Sequence, residues 1–277
     1  MCCHQKCEVP KHPLLVPIQV GAALADRYFP GFLHDDAGEN ISAKNRSYCE
    51  LTAHYWAWKN VDADFYGIFH YRRYLYPDAS AKRPYRLERV PDLHTLERLG
   101  YEGFREQVRT YDIVVPKGEN MFVPVRKHYA DAKFHHEKDL RLVEEIVREK
   151  YPAYVPAMEE YLDGTICYFG NICILRKPVF QDYCQWLFDI LREFDRRADV
   201  SGYSVQERRV DGYLAERLLG IYVTSQRGRM KILELPRVHF LSGREYVRQR
   251  AVNALLPPGT RRRCWVKRTF KKDGHER

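Results

Sequence analysis

Apolar runs alternate along this chain with segments whose apolar positions recur every three or four residues. Residues 14–19 read as a short strand, and a helical stretch follows over 21–28. The chain then turns polar over 34–45, HDDAGENISAKN, which reads as a loop. Residues 47–60 read as a helix. Ser47 stands at its N-cap with Glu50 three residues on, a capping-box spacing. Tyr48, Leu51, Tyr55 and Trp58 fall on one face as a core stripe.

The apolar strand 65–69 ends abruptly in His70-Tyr71-Arg72-Arg73. After a loop rich in Pro and charge, 111–115 gives another buried strand, closed by Pro116. Residues 124–162 read as helix in two or three pieces, broken near Pro152. A strand over 165–175 precedes a long amphipathic helix, 178–197, with Pro178 in its first turn. A further helix over about 206–220 and a strand over 231–235 complete the pattern. Strands alternating with helices predict an α/β sandwich around a mostly parallel sheet.

Composition adds three things. With 277 residues and 45% hydrophobic content there is ample material for a core, which excludes wholesale disorder. The 20 Tyr supply flat faces on which sugars and bases can stack, although most such rings fill cores. The charge is uneven. Between Arg237 and Arg277 there are twelve Lys and Arg against three Asp and Glu, which carries the whole net charge of +9. The expected organisation is therefore a neutral body, 1–236, and a basic tail, 237–277.

The N-terminal stretch MCCHQKCEVPKH has no apolar run, and no segment approaches the ~18–20 apolar residues of a membrane span. The expectation is a cytoplasmic protein with reduced thiols. Cys2, Cys3, His4 and Cys7 could hold zinc, but no second cluster supports them. Cys167 and Cys173 read as small buried hydrophobes.

In open α/β sheets ligands bind beyond the carboxyl ends of strands. His70, Arg72 and Arg73 stand at such an end, and guanidinium groups fork onto phosphate oxygens. A diphosphate suits them; a solvated strand exit is the other reading, and residue type leaves both open. The loop side chains Asp35, Asp36, Asn40, Lys44 and Asn45 could grip ribose, base or sugar hydroxyls, or simply form an exposed turn.

Three dense blocks carry a resemblance. They are DDAGENISAKN at 35–45, CELTAHYWAWKN at 49–60 and HYRRY at 70–74. Together with PIQVGAAL, YDIVVPK, YPAYVPAM, YFGNICIL and GYLAERLL they cover nearly all of residues 14–240. The chain resembles a bacterial domain-of-unknown-function family found among capsular and exopolysaccharide glycosyltransferases, some linked to galactofuranose. The resemblance implies a fold similar to the GT-A type, a Rossmann-like α/β domain. It implies transfer of a hexose from a UDP-sugar donor to a glycan or lipid-linked glycan acceptor.

Such enzymes often hold manganese on an Asp-x-Asp at a strand end. Here Asp62-Ala63-Asp64 precedes its strand, at the wrong end. The expectation is that no metal is essential, with Asp35 and Asp36 as possible ligands for Mn2+ or Mg2+. The donor site is then expected at Asp35, Asp36, Asn40, Lys44, Asn45, His70, Arg72 and Arg73.

An inverting transferase needs a carboxylate to take the acceptor's proton. Glu216, within the block resembling the family's Tyr-Leu-x-Glu-Arg-Leu, is the first choice and Asp211 the second. Glu216 with Arg217 also reads as a structural ion pair. His128, His135, Asp139 and Asn171 fall in other matching blocks and would line the acceptor side.

The basic tail interleaves cations with Tyr246, Leu255, Trp265 and Phe270, which suits the anionic inner face of a membrane. A single-strand nucleic-acid binder is the alternative from another class, disfavoured by the neutral body. A non-catalytic partner in polysaccharide assembly is a third.

Overall fold

A computed structural model describes residues 1–272. Its strands begin with β1 (Cys2–Cys3), β2 (Ile18–Gln19), β3 (Leu33–His34), β4 (Phe65–Ile68), β5 (Arg73–Leu75) and β6 (Tyr85–Glu88). They continue with β7 (Ile113–Pro116), β8 (Glu119–Asn120), β9 (Ile166–Cys167), β10 (Cys173–Arg176), β11 (Ile232–Leu235) and β12 (Arg237–Phe240). The helices begin with α1 (Asn45–Tyr48), α2 (Leu51–Asn60), α3 (Leu93–Arg98), α4 (Phe104–Arg109), α5 (Val125–Ala130) and α6 (Glu137–Lys150). They continue with α7 (Val155–Asp163), α8 (Lys177–Arg197), α9 (Val210–Gln226), α10 (Gly243–Leu255) and α11 (Arg261–Lys272).

The central sheet runs β11-β7-β10-β4. Successive side chains on a strand point to opposite faces, so Ile113 and Val115 enter one core while Val114 enters another. Cys173 and Leu175 join the first core and Ile174 the second. Both faces are covered, which is why these strands read as continuous apolar runs. The first core is built with α2 and α6 to α9, through Ala53, Val143, Met158, Phe180 and Leu218. The second is built with α3, α4, β5 and β12, through Leu96, Phe104, Tyr74 and Val238. Each fully buried aliphatic or Phe side chain contributes roughly 1.5–3 kcal/mol.

α8 buries Phe180, Tyr183, Cys184, Leu187, Leu191 and Phe194 at three- and four-residue spacing. Pro178, near its start, sits where no intrahelical N–H bond is needed. α9 is buried on almost every side. Gly220 lets it approach α7, because a Cβ there would collide with the Tyr161 ring.

The α/β expectation with flanking helices is met, but the sheet is mixed rather than mostly parallel. β11 pairs parallel with β7, whereas β10 lies antiparallel to both β7 and β4. The expected 165–175 strand breaks at 170–171. Gly170 and Asn171 both adopt left-handed backbone, φ 97 and 48, and cut it into β9 and β10. The expected 47–60 helix also breaks. Cys49, at φ 52, separates α1 from α2, so Ser47 and Glu50 form no capping box and meet Asp211 and Asn171 instead. The stretch 21–28 holds only a tight turn at Ala22–Leu24, because Asp35 takes the Gly21 and Ala22 N–H groups.

The boundary at 236 is also displaced. Arg237–Phe240 is no tail but the middle strand of the sheet β5-β12-β6. It runs antiparallel to β5 and parallel to β6. Residues 76–110, expected as loop, hold β6, α3 and α4, with Asp92 capping α3 through the Thr95 N–H at 2.7 Å. The last expected tail residues, 273–277, lie outside the described residues.

Candidate functional site

The exit of β4 is clamped by the N-terminal strand. The Cys2 N–H donates to the Phe69 carbonyl at 2.7 Å, and Tyr71 N–H donates back to Cys2 at 3.2 Å. His70 sits in this clamp and its Nδ1 accepts the Arg72 N–H at 3.3 Å. The His4 ring lies 5.9 Å from that of His70, and the Arg72 guanidinium lies over Tyr71 at 5.2 Å. Arg72 and Arg73 are exposed, and among the described residues neither has a carboxylate partner.

A third guanidinium comes from the segment before α9. Arg209 Nε donates to Cys49 Sγ at 3.3 Å and its head lies 5.7 Å from the Tyr213 ring centre. Burial, then Arg73, His4, Arg72 and Arg209, push His70 down to about 3. His4 is lowered by burial, Arg72 and Arg209. Both imidazoles are therefore neutral at physiological pH beside three permanent cations, which is an anion-attracting arrangement.

Near Arg209 lies a pair of carboxylates held by one turn. The Gly170 N–H donates to Glu216 Oε1 at 2.7 Å. Asn171 Nδ2 donates to Glu50 Oε1 at 3.0 Å and to the Gly212 carbonyl at 3.0 Å. The positive φ at both positions aims these donors at the two carboxylates. Glu50 is raised above its usual value by burial, opposed by the Asn171 bond, with Glu216 pushing it further and Arg209 pulling it back. Glu216 remains 19% exposed, so a ligand can reach it. Behind it the fully buried Arg217 lies under Phe169 and Tyr129, 5.3 and 5.9 Å from their ring centres. Arg237, also buried, pairs with Glu119 and meets the Phe169 ring at 5.7 Å.

The other expected site residues are placed as follows. Asp35 is fully buried and holds its own loop, accepting from Gly21, Ala22 and the Ser42 hydroxyl. Asp36 accepts from Tyr28 at 2.8 Å, and Asn40 donates to the carbonyls of Asp36 and Gly38. Lys44 pairs with Asp195 at 2.6 Å. Asn45 ties Cys49 and Thr52 together and crowds Gly21. This loop is therefore knitted to itself and to α8, and His70, Arg72 and Arg73 stand apart from it.

Asp211, on the same helix as Glu216, points elsewhere: it accepts from the Ser47 hydroxyl. Its carboxyl is pushed up to about 7, by burial first and then by Asp195. His128 lies edge-on to Phe169 at 5.7 Å, and His135 lies between Tyr129 and Tyr213 at 4.4 and 4.3 Å. Through Tyr213 this stack reaches Arg209. Asp139 is buried and accepts from Tyr203 at 2.8 Å. Asn171, expected to touch the acceptor, holds Glu50 instead.

A divalent ion finds a poor fit in the carboxylates expected for it. Asp35 has both oxygens committed, and Asp36 accepts from Tyr28. Among the described residues no three His, Cys, Asp or Glu side chains gather as a ligand set, the N-terminal cysteines included.

The family described as Domain of unknown function (DUF4422) matches residues 1–227. The chain belongs to that family. Of the solved structures, the apo structure of WbbM, a bifunctional glycosyltransferase, matches this DUF4422 member with a TM-score of 0.81 and 33% identity. The match covers 86% of this chain and 44% of that one, so the chain spans less than half the length of WbbM. No curated protein matches the chain.

Sequence reasoning missed Glu50, Arg209, His4 and Arg237. Glu50 lies within the CELT block, so membership in a dense block was the available signal for it, whereas Arg209 stands three residues before GYLAERLL and carried none. Their convergence depends on the kink at Cys49 and the turn at Gly170–Asn171.

Proposed function

We propose that the chain transfers a hexose from a UDP-sugar donor to a glycan acceptor in surface-polysaccharide synthesis. Galactofuranose and galactose are the favoured sugars, on the family resemblance. One observation supports this reading above the others: the guanidiniums of Arg72, Arg73 and Arg209 gather around His70, and Arg209 lies within electrostatic reach of Glu50, the neighbour of Glu216. The likeness to a bifunctional glycosyltransferase agrees with it.

The cations suit the donor diphosphate, whose negative charge grows as the bond from the anomeric carbon to the phosphate oxygen breaks. Preorganised cations aimed at developing charge stabilise such a departure without a metal. The acceptor hydroxyl attacks the anomeric carbon with inversion, and Glu216 takes its proton while the electron pair leaves with UDP. The Gly170 N–H and the buried Arg217 hold Glu216 in position.

Thermal melting with UDP, GDP, CMP and dTDP, each with manganese or EDTA, tests the donor assignment. A ligand that binds only the folded chain at a hundred times its Kd contributes about 2.7 kcal/mol, a clear rise in midpoint. The expected outcome is a rise with UDP that survives EDTA. Equal midpoints throughout the panel would sink the donor-site reading.

The chain is further proposed to work at an anionic membrane surface on the cytoplasmic side, where a lipid-linked glycan acceptor would be presented. Among the described residues no helix is long and apolar enough to cross a membrane. α10 and the start of α11 instead expose Val247, Leu255 and Trp265 beside Arg244, Arg248, Arg261 and Arg262. Each such cation adds about 1 kcal/mol at an anionic surface. Co-sedimentation with phosphatidylglycerol vesicles but not phosphatidylcholine vesicles is expected, and Arg244→Ala with Arg248→Ala should weaken it. Equal pelleting with both lipids would remove the electrostatic reading.

A further inference from the structure

A second cleft, of about 630 Å³, opens between α10 and the segment from Tyr76 to Leu87. Its volume falls within the usual range of small-ligand sites, about 300–1,000 Å³. Lys82, Arg83, Arg86 and Arg250 line it, and no carboxylate does. Arg86 is neutralised by Glu88 at 2.6 Å. Among the described residues Lys82, Arg83 and Arg250 have no acidic partner, and all three are exposed.

The floor is built rather than incidental. Arg263 is 5% exposed and donates to Asn253 Oδ1 at 2.7 Å, to the Tyr85 hydroxyl at 2.8 Å and to the Leu256 carbonyl at 2.6 Å. The Tyr85 hydroxyl in turn donates to Asn253 at 3.2 Å. This network pins α10 and the start of α11 against β6 and holds the cleft open. Its walls carry two tyrosines, Tyr76 and Tyr246.

Three free cations exceed what one carboxylate needs and match a phosphate, whose several oxygens each accept forked N–H donors. Each wall tyrosine already carries a guanidinium on one face, Arg86 over Tyr76 at 5.0 Å and Arg89 over Tyr246 at 4.9 Å, and a ring has a second face on which a sugar can stack. We infer that this cleft binds a phosphorylated sugar, at a site separate from the Arg72–Arg73 cluster. One wall belongs to α10, outside the family-matched residues 1–227. The cleft nevertheless borders the first site, because His239 stacks on Tyr85 at 4.4 Å and is in register with Arg73. The inference stands on the cleft alone and survives the loss of the transferase reading.

Calorimetric titration of the full chain with galactose 1-phosphate, galactose and inorganic phosphate tests it. Because a sugar phosphate could also enter the first site, each titration is repeated on two double variants, Lys82→Ala/Arg83→Ala and Arg72→Ala/Arg73→Ala. Galactose 1-phosphate is expected to bind more tightly than either fragment. The Lys82/Arg83 variant should weaken it roughly tenfold or more, as loss of charge-assisted bonds implies. The Arg72/Arg73 variant should leave it within about twofold, since sites without shared partners behave independently. All four positions are exposed, and unchanged melting temperatures confirm that the variants fold. Loss confined to the Arg72/Arg73 variant, affinity for galactose equal to that for its phosphate, or displacement by a single-stranded oligonucleotide without sugar preference would each overturn the inference.

Discussion

Replacing Glu216 by Gln lowers turnover by roughly 10²–10⁴-fold, the usual contribution of a positioned general base, while UDP binding stays intact. The substitution keeps shape and keeps an oxygen for the Gly170 N–H, so the turn at 170–171 is not disturbed. What is removed is the capacity to take a proton, together with the charge that pairs with the buried Arg217 at 3.4 Å. Donor binding, read by the UDP-induced rise in melting temperature, is the control. The neighbouring Glu50 is the competitor for this role, since it lies beside Glu216 and burial favours its protonated form. Glu216 is favoured because its side chain is exposed enough for an acceptor hydroxyl to reach it, whereas Glu50 is committed to Asn171. Turnover unchanged in Glu216→Gln but abolished in Glu50→Gln would transfer the role to Glu50.

Arg72→Ala combined with Arg73→Ala removes the other half of the chemistry. The expected loss in turnover is roughly 10²–10³-fold, as for deleting a preorganised donor to a developing negative charge. Unlike Glu216→Gln, this change also abolishes the UDP-induced rise in melting temperature. Folding should survive, because both side chains are exposed. Lys at both positions should restore part of the binding, since charge returns without the planar fork. A full UDP shift in the double Ala variant would show that the diphosphate lies elsewhere, with the self-knit loop 35–45 as the next place to look.

Long helices were the most legible part of the fold. The 178–197 stretch is α8 almost residue for residue, and 124–162 breaks into α5, α6 and α7 with the Tyr151–Tyr154 interruption at Pro152. Their signal is local and repeated, so it survives tertiary context. Strand direction was not legible, because pairing across the sheet is fixed by residues far apart in sequence. Nor were the breaks at Cys49 and Asn171, where non-glycine residues adopt left-handed backbone that few would be expected to tolerate.

The candidate site divides along the same line. His70, Arg72 and Arg73 could be read because they stand at the end of a recognisable strand. Asp211 could be weighed against Glu216 only by helix geometry, and its bond to Ser47 depends on a contact across 164 residues. The loop 35–45 looked like a ligand grip because its side chains are polar. In the fold, that polarity is consumed by nearby backbone, the Gly21 and Ala22 N–H groups for the Asp35 carboxylate and the Asp36 and Gly38 carbonyls for the Asn40 amide.

The position of β12 has a consequence for synthesis on the ribosome. The strand between β5 and β6 is the last of the described strands to be made, so those two wait some 150 residues for the partner that joins them, a long loop to close. The family-matched segment ends at 227, before both β11 and β12. A nascent chain halted at that boundary would expose three hungry strand edges, along β5, β6 and β7, and would be a natural client for a holding chaperone until residue 240 emerges.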